Sequence, residues 1–291
     1  MLHRPWMATV GVWLMLATFA LAAPPYKALI VDGQNGHDWK GTTPSLKQLL
    51  EETKLFTVDV ATSPAAKQDM SGFKPDFAAY NVVVLNYQGD EWPAATKTAF
   101  VDYVKNGGGV VVFHFACAAF PKWKEYNEII GLGGWGGRNE KHGPYVRWRD
   151  GQIVRDDSPG RGGAHGPMQP FQLVIREPNH PITQGLPEKF MHCNDELYGW
   201  LRGPAKNLTV LATAFAPKEK GGAGEHEPLL FTVQYGKGRV FQNALGHTAK
   251  ELKSVAFIAT YQRGADWAAS GQVTQKLPAD FPGPDTASMR P

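Results

Sequence analysis

The chain has few cysteines and almost no excess of charge. Only Cys117 and Cys193 occur among its 291 residues, which excludes a small scaffold held together by disulfides. An exported protein can pair two cysteines, so their pairing stays open. The 30 basic and 27 acidic residues leave a formal net charge of +3 without a basic cluster. This composition does not indicate nucleic-acid binding.

Long apolar runs are also lacking, except for one near the start. Met7–Leu21 is apolar apart from three residues, follows Arg4, and is succeeded by small residues and two prolines. The run is shorter than the ~20 residues of a membrane span. We therefore predict a signal peptide at residues 1–22, cleaved after Ala22 or Ala23, and a periplasmic or secreted protein without stable membrane association. An uncleaved anchor is the alternative.

The first half alternates short apolar segments with helical patterns, which predicts βαβ units and a mostly parallel sheet flanked by helices. The predicted strands are Lys27–Val31, Phe56–Val60, Asn81–Leu85 and Val110–Phe113, and the predicted helices are Pro44–Thr53 and Pro93–Asn106. Thr43 is the expected N-cap of the first helix, ahead of a proline at its first position.

The second half predicts antiparallel additions to this sheet. Asp150-Gly151 between Tyr145–Arg149 and Gln152–Arg155 is a strong hairpin signal. Further strands and a closing helix over Glu251–Gly264 follow. From Gln272 onward Pro, Gly, Asp and Ser dominate, which predicts one α/β domain over residues 23–271 and a poorly ordered tail over 272–291.

Three histidines each follow a predicted strand: His37, His114 and His247. In open α/β sheets, ligands bind where loops leave the carboxyl ends of the strands. We therefore expect the three imidazoles to meet in one site, where they are candidate ligands of a divalent metal such as zinc. His165, His180 and His226 are interpreted as exposed or loop-locking residues.

Residues 191–198 concentrate further chemistry in Asp195, Glu196 and Tyr198. The carboxylates are candidates for a metal ligand and a general base, although a solvated loop has the same composition. Residues 131–136 fit a Gly-x-Gly-x-x-Gly pattern, but the pattern follows a helix-like segment and opens no helix, so no nucleotide is predicted. Trp135 within it is a candidate pocket residue.

These segments together resemble the trehalose-utilization ThuA-like family, over nearly all of residues 27–264. The resemblance is carried, in order, by Asp32-Gly-x-x-x-His37-Asp38-Trp39, the Gly107–His114 strand end, His180-Pro-Ile-Thr-x-Gly-Leu186-Pro, Asp195-Glu-Leu-Tyr198, and Gly236-Lys-Gly-Arg-Val240 with Gly246-His-Thr248. It implies a flavodoxin-like, class I glutamine amidotransferase-like fold. Where amidotransferases carry a catalytic cysteine, this chain has His114, and Cys117 is offset by three residues.

The resemblance implies sugar metabolism, of trehalose and its 3-keto derivatives. The leading hypothesis is an enzyme acting on glycosides or 3-keto-sugars, with His37, His114 and His247 as metal ligands. In it His114, Asp195, Glu196 and Tyr198 are catalytic, and the sugar contacts are expected from Asp38, Trp39, Trp92, Trp135 and His142. The alternatives are a non-catalytic carbohydrate-binding module and a thiol enzyme using Cys117. The oligomeric state is left open.

Overall fold

The computed structural model describes Met1 and residues 25–291. Apart from Met1, the predicted signal peptide lies outside the described residues, as do both of its candidate cleavage points. Within the described part of the chain, no helix is long and apolar enough to span a membrane.

Thirteen strands and four α-helices follow along the described chain. The strands are β1 Tyr26–Asp32, β2 Phe56–Thr62, β3 Val82–Leu85, β4 Gly109–Phe113, β5 Tyr145–Arg149, β6 Gln152–Asp156, β7 Ala164–His165, β8 Gln169–Ile175, β9 Lys189–Asp195, β10 Tyr198–Gly199, β11 Leu208–Ala216, β12 Glu225–Tyr235 and β13 Gly238–Asn243. The helices are α1 Trp39–Glu52, α2 Ala94–Lys105, α3 Lys124–Ile130 and α4 Val255–Ser270.

The parallel half of the sheet has the strand order β2-β1-β3-β4-β13, with each neighbouring pair parallel. This is the flavodoxin-like order, in which the sequence of strands reverses between β1 and β3. Helices α1 and α4 pack on one face, and α2 and α3 on the other. All residues of β3 and β4 are buried, as expected for central strands covered on both faces. The predicted fold class is confirmed.

The second half continues the same sheet in antiparallel fashion through β12, β11, β8 and β9. The predicted hairpin forms β5 and β6, and Asp150 and Gly151 both have positive φ, as a two-residue turn of the primed type requires. Separately, β7 pairs with β10 in a short two-stranded arm. This arm carries residues of the candidate site.

Helix α1 begins five residues before the predicted start. Its N-cap is Asp38, whose Oδ1 accepts a hydrogen bond from the Gly41 amide at 3.0 Å. Pro44 therefore lies inside the helix, and Thr43 is buried rather than a cap. An aspartate side chain satisfies an otherwise free amide of the first turn, and this contact decides where the helix begins.

The tail predicted to be poorly ordered is instead packed on the domain. The amide of Met191 on edge strand β9 donates to the carbonyl of Gly283 at 2.8 Å. Phe281 stacks edge-on against buried Phe190, with ring centroids 5.0 Å apart. Further on, residues 288–290 bond to residues 253–255 at the start of α4. The composition of the tail indicated disorder. The edge strand β9, however, offers the tail backbone hydrogen-bond partners that composition does not reveal.

Candidate functional site

The ends of three strands bring three histidines into one cleft. His37 follows β1, His114 follows β4 and His247 follows β13. Their ring centroids are 4.6 Å apart for His37 and His247, 5.0 Å for His37 and His114, and 5.8 Å for His114 and His247. The side chains meet at the carboxyl edge of the parallel sheet, as the positions of the strand ends predict.

Glu196 lies at the centre of this cluster, and each of its oxygens faces two imidazoles. Oε2 lies 3.5 Å from His37 Nε2 and 3.6 Å from His114 Nε2. Oε1 lies 3.5 Å from His247 Nδ1 and 3.4 Å from His165 Nε2. Only 9% of the Glu196 side chain is exposed. We call these four histidines and Glu196 the histidine cluster.

The charges within the cluster follow from burial and from these contacts. Burial raises the pKa of Glu196, but His114 and His37 outweigh it and hold that pKa well below its ordinary value. Burial lowers the pKa of His37. The site thus combines an ionised carboxylate with a neutral imidazole that keeps a free lone pair, which is the form that binds metal ions.

His165 is the member of the cluster that the sequence interpretation missed. It lies in β7, a strand of only two residues, which pairs with Tyr198 of β10. Glycines surround it in the sequence, so no hydrophobic alternation marks the strand. The pairing of β7 with β10 is what places this imidazole beside Glu196.

His114 has an unusual backbone and a defined tautomer. Its φ is +42°, a strained conformation like that of residues on sharp turns after buried strands. Nδ1 lies 2.8 Å from the carbonyl oxygen of Ala244. Because a carbonyl only accepts, Nδ1 carries a proton, and in the neutral form of His114 the lone pair is therefore on Nε2. The Tyr198 hydroxyl donates to that Nε2 at 2.8 Å, and burial raises the pKa of the phenol well above its ordinary value.

Asp195 was a candidate base or metal ligand, but its carboxylate is fully used inside the protein. It accepts hydrogen bonds from the amides of Gly246 at 2.7 Å, Glu196 at 2.8 Å and His247 at 3.2 Å. Its Oδ2 also pairs with His192 Nε2 at 2.7 Å, and neither side chain is exposed. Asp195 therefore positions Glu196 and His247 and has no free lone pair aimed at the cleft.

Of the predicted sugar contacts, Trp135 reaches the cluster. Its ring lies 4.6 Å from that of Tyr198 and 6.1 Å from that of His165. Phe115 packs against both Trp135 and His37, at 5.3 Å and 4.3 Å. An aromatic wall thus borders the imidazoles, and such a wall suits the apolar face of a sugar ring.

Three of the other four predicted contacts, Asp38, Trp92 and His142, have structural roles. Asp38 caps α1, and Trp39 is the first residue of that helix, beside the Lys40 ammonium. Trp92 is 2% exposed within an aromatic cluster that includes Phe77 and Phe100. His142 Nδ1 accepts from the Asn139 amide in a capping box. The local sequence shows that an aromatic ring or an imidazole lies near a loop. Only the folded structure decides whether that side chain faces the cleft or the core.

Cys117 does not support thiol chemistry. Cys117 and Cys193 are free and buried. Burial raises the pKa of the Cys117 thiol to about 12, and only the thiolate is an effective nucleophile. The hypothesis of a thiol enzyme that uses Cys117 is therefore wrong. The residue three positions before this cysteine is His114.

The donor set fits a divalent metal. Ligand atoms of His37, His114 and Glu196 all lie within 4.8 Å of one another. Bond lengths of 2.0–2.2 Å in a tetrahedral zinc site separate neighbouring ligand atoms by about 3.3–3.6 Å, close to the two nitrogen–oxygen distances at Glu196 Oε2. That Oε2 is buried without a hydrogen-bond partner among the described residues, as are His37 Nδ1 and His247 Nδ1. Buried polar atoms normally have partners, so these point to something bound.

Comparisons with known proteins agree with this architecture. The family model of ThuA, described as trehalose utilisation, matches residues 27–268. A ThuA-like protein from Parabacteroides merdae is 48% identical, with a TM-score of 0.90 over 92% of this chain and 98% of that one. Another from Bacteroides uniformis is 20% identical, with a TM-score of 0.58 over 89% and 97%, and supports the fold alone. No match was found among curated proteins. This chain belongs to the ThuA family, which is linked to trehalose utilisation.

Proposed function

We propose that this protein is a metal-assisted enzyme that cleaves 3-keto glycosides. The observation that carries the proposal is the environment of Glu196, where each carboxylate oxygen faces two imidazoles in a nearly buried cleft. A solvated binding surface has no need of such a cluster, because burying a carboxylate costs free energy that its neighbours must offset, and groups with strongly shifted pKa values concentrate at functional sites. The aromatic wall beside it supports a sugar as the ligand.

His37, His114 and Glu196 would hold the metal. When bound, a divalent ion supplies a Lewis acid that polarises a carbonyl oxygen, and a ketone at C3 of a sugar is such a group. Asp195 fixes the backbone of Glu196, and the Ala244 carbonyl fixes the tautomer of His114. Such outer contacts keep the ligand atoms in place.

His247 and His165 are left to move protons. A ketone at C3 acidifies the hydrogen on C2, so one imidazole can remove that proton as the C1–oxygen bond breaks. The other ring begins the step as an imidazolium and gives its proton to the departing oxygen, which leaves as an alcohol. Water then adds its hydroxyl to C1 and a proton returns to C2. The net reaction is hydrolysis of the glycoside, with no oxidant consumed.

The direct test measures bound metal and turnover together. Purified protein is analysed for metal content and assayed on the 3-keto derivatives of trehalose and methyl α-glucoside, with and without a chelator. We expect bound zinc or a similar ion, and activity that the chelator abolishes. Glu196→Gln should lose both, whereas Glu52→Gln, at an exposed carboxylate on α1, should lose neither.

A melting-temperature measurement alongside this assay separates the enzyme from a binding module. A sugar that raises the melting temperature of the metal-loaded protein, together with no turnover on any keto-glycoside, would favour a non-catalytic carbohydrate-binding protein and end the enzymatic proposal.

We also propose that the protein acts outside the cytoplasm, since residues 1–22 have the pattern of a signal peptide. Amino-terminal sequencing of the native protein checks this. A mature chain beginning at Ala23 or Pro24 supports export with cleavage, and an intact Met1 on protein recovered from the cytoplasmic fraction contradicts it.

A further inference from the structure

The short arm of β7 and β10 carries two residues of the candidate site. Tyr198 on β10 pairs with His165 on β7, and His165 Nε2 lies 3.4 Å from Glu196 Oε1. An isolated pair of strands is at best marginally stable in water, and these strands have two residues each. Contacts from outside the arm must therefore fix the place of the His165 imidazole.

One such contact comes from Glu227 of strand β12, which lies against the arm. Its Oε1 accepts a hydrogen bond from the Trp200 amide at 3.1 Å. A side chain at Gly199 would place its Cβ 3.0 Å from the same oxygen, so the carboxylate packs directly on the backbone of β10. The Trp200 carbonyl in turn accepts from the amide of Gly163, the residue before β7, at 2.8 Å. Glu227 is thus linked to both strands of the arm.

The backbone of Trp200 needs a partner of this kind. Its φ is +61°, in the left-handed region that residues with a side chain seldom adopt. Such a conformation costs free energy and persists only where the surrounding structure fixes it. Trp200 is two positions after Tyr198, so relaxation of this backbone would displace Tyr198 and the His165 paired with it.

The charge of Glu227 is compensated inside the protein. Its side chain is 1% exposed and forms an ion pair with that of Arg147 on β5, which is 2% exposed. A buried charge without a partner is costly, whereas a paired one is tolerated. The Arg147 guanidinium also lies 4.6 Å from the ring centroid of Tyr145 and 5.4 Å from that of Trp200, within cation–π distance. Arg147 therefore supports Glu227 and contacts the anchored tryptophan as well.

The arm depends on the acceptor atom of Glu227 rather than on its charge. Burial raises the pKa of this carboxyl to about 7, and Arg147 opposes the rise. The group is therefore partly protonated near neutral pH, yet a protonated carboxyl keeps a carbonyl oxygen that accepts a hydrogen bond. An amide oxygen has the same capacity, so glutamine can replace glutamate at this contact, whereas methionine cannot.

We propose that Glu227 is a positioning residue for the site: it fixes Trp200 and β10, and through β7 it keeps the His165 imidazole beside Glu196. The kinetic consequence rests on the proposed function, in which His165 transfers a proton. The place of the imidazole does not depend on which reaction the site performs.

The test compares methionine and glutamine at position 227 in a background that lacks the buried charge of Arg147. Arg147→Met/Glu227→Met replaces the ion pair by apolar side chains, a change that often preserves stability, but it leaves the Trp200 amide without an acceptor. Arg147→Met/Glu227→Gln keeps one. For the 3-keto derivative of trehalose, we expect the methionine variant to lower kcat by roughly tenfold or more with KM little changed, because a small displacement of a catalytic group has such an effect. Glutamine should restore kcat.

The neighbouring ion pair on the same two strands provides the control. Arg149 Nη2 lies 2.7 Å from Glu225 Oε1, so Arg149→Met/Glu225→Met removes the same charges and keeps the bond between Glu227 and Trp200. This variant should retain kcat. NMR spectra of the histidine rings give a second readout, in which the His165 signals, assigned through His165→Gln, should shift in the methionine variant alone.

The NMR result decides the inference independently of turnover. Shifted His165 signals that glutamine restores support the positioning role, even if no keto-glycoside is turned over, and absence of turnover ends only the proposed function. Wild-type His165 signals in a folded methionine variant overturn the role, as do signals that shift equally with methionine and glutamine. If methionine prevents folding, Glu227→Asp beside the native Arg147 gives the same decision, since it keeps the charge but withdraws the acceptor from the Trp200 amide.

Discussion

The lone pair of His114 Nε2 has two possible partners. The Tyr198 hydroxyl donates to it at 2.8 Å, and the same nitrogen faces Glu196 Oε2 at 3.6 Å, where a metal would bind. One lone pair accepts one bond, so the phenol and the metal compete for it. Tyr198 was expected to be catalytic, but its buried hydroxyl is directed to His114.

This competition predicts the behaviour of Tyr198→Phe. Loss of the hydroxyl removes a hydrogen bond that the metal must displace, a contribution of about 1 kcal/mol, so the affinity for zinc should rise severalfold. Titration against a chelating dye measures it. Tyr87→Phe, at a buried tyrosine bonded to the Asp90 carbonyl, is the control and should leave zinc affinity unchanged. A tenfold loss of affinity in Tyr198→Phe would mean that the phenol itself supports the metal.

The buried pair of His192 and Asp195 predicts a dependence of stability on pH. Burial lowers the pKa of His192, but the hydrogen bond to Asp195 outweighs it and raises that pKa to about 9. A group whose pKa is higher in the folded than in the unfolded state contributes its full stabilisation of the fold at pH values below the unfolded pKa, here about 6.5. That contribution is lost as the pH rises through the folded pKa. The free energy of unfolding should fall between pH 6.5 and 9, by up to roughly 3 kcal/mol.

Urea denaturation at several pH values checks this slope. His192→Asn should flatten it, and His226→Asn, at a half-buried histidine on β12, should keep it. An unchanged slope in His192→Asn would assign the titration to another group.

At the scale of elements, the strand ends were predictable and the short arm was not. Continuous Val-rich runs such as β3 and β4 are typical of central parallel strands, so the positions after them could be assigned to one sheet edge. β7 and β10 have two residues each, too few for a periodic pattern. Their pairing depends on neighbours distant in sequence, and it alone brings His165 to the site.

The first helix provides a test at this scale. Asp38 was expected to contact substrate, but it caps α1. Asp38→Ala should lower the free energy of unfolding by about 1 kcal/mol, the usual contribution of an N-cap, and leave KM unchanged. Urea denaturation and steady-state kinetics measure the two effects. Asp157→Ala, at an exposed loop position, should change neither; a raised KM in Asp38→Ala with full stability would restore the substrate contact.

At the scale of the whole molecule, the last residues cover one edge of the sheet. β9 is an edge strand, and it leads directly into Glu196. The tail satisfies its Met191 amide and covers Phe190. Exposed strand edges carry unpaired amides that can pair with another chain and cause aggregation. The tail covers such an edge next to the site, and it therefore stabilises both the sheet and the site.

Deletion of residues 272–291 should therefore be costly. Several hydrogen bonds at about 1 kcal/mol each are lost with the burial of Phe281, so the melting temperature should fall by roughly 6–12 °C for a loss of about 3 kcal/mol. Differential scanning calorimetry measures it. Phe281→Ala in the full-length chain should give part of the same loss, and a truncated protein that melts with the full-length one would show that the tail contributes nothing.

The sequence by itself determined the fold class and the three strand-end histidines, because burial on both faces of a parallel sheet forces continuous apolar runs whose ends share one edge. Tertiary structure alone decided that four imidazoles surround Glu196, that the Asp195 carboxylate accepts hydrogen bonds from backbone amides, and that Trp92 lies in the core. These depend on which distant groups satisfy each polar atom or cover each ring, and no local pattern encodes such partners.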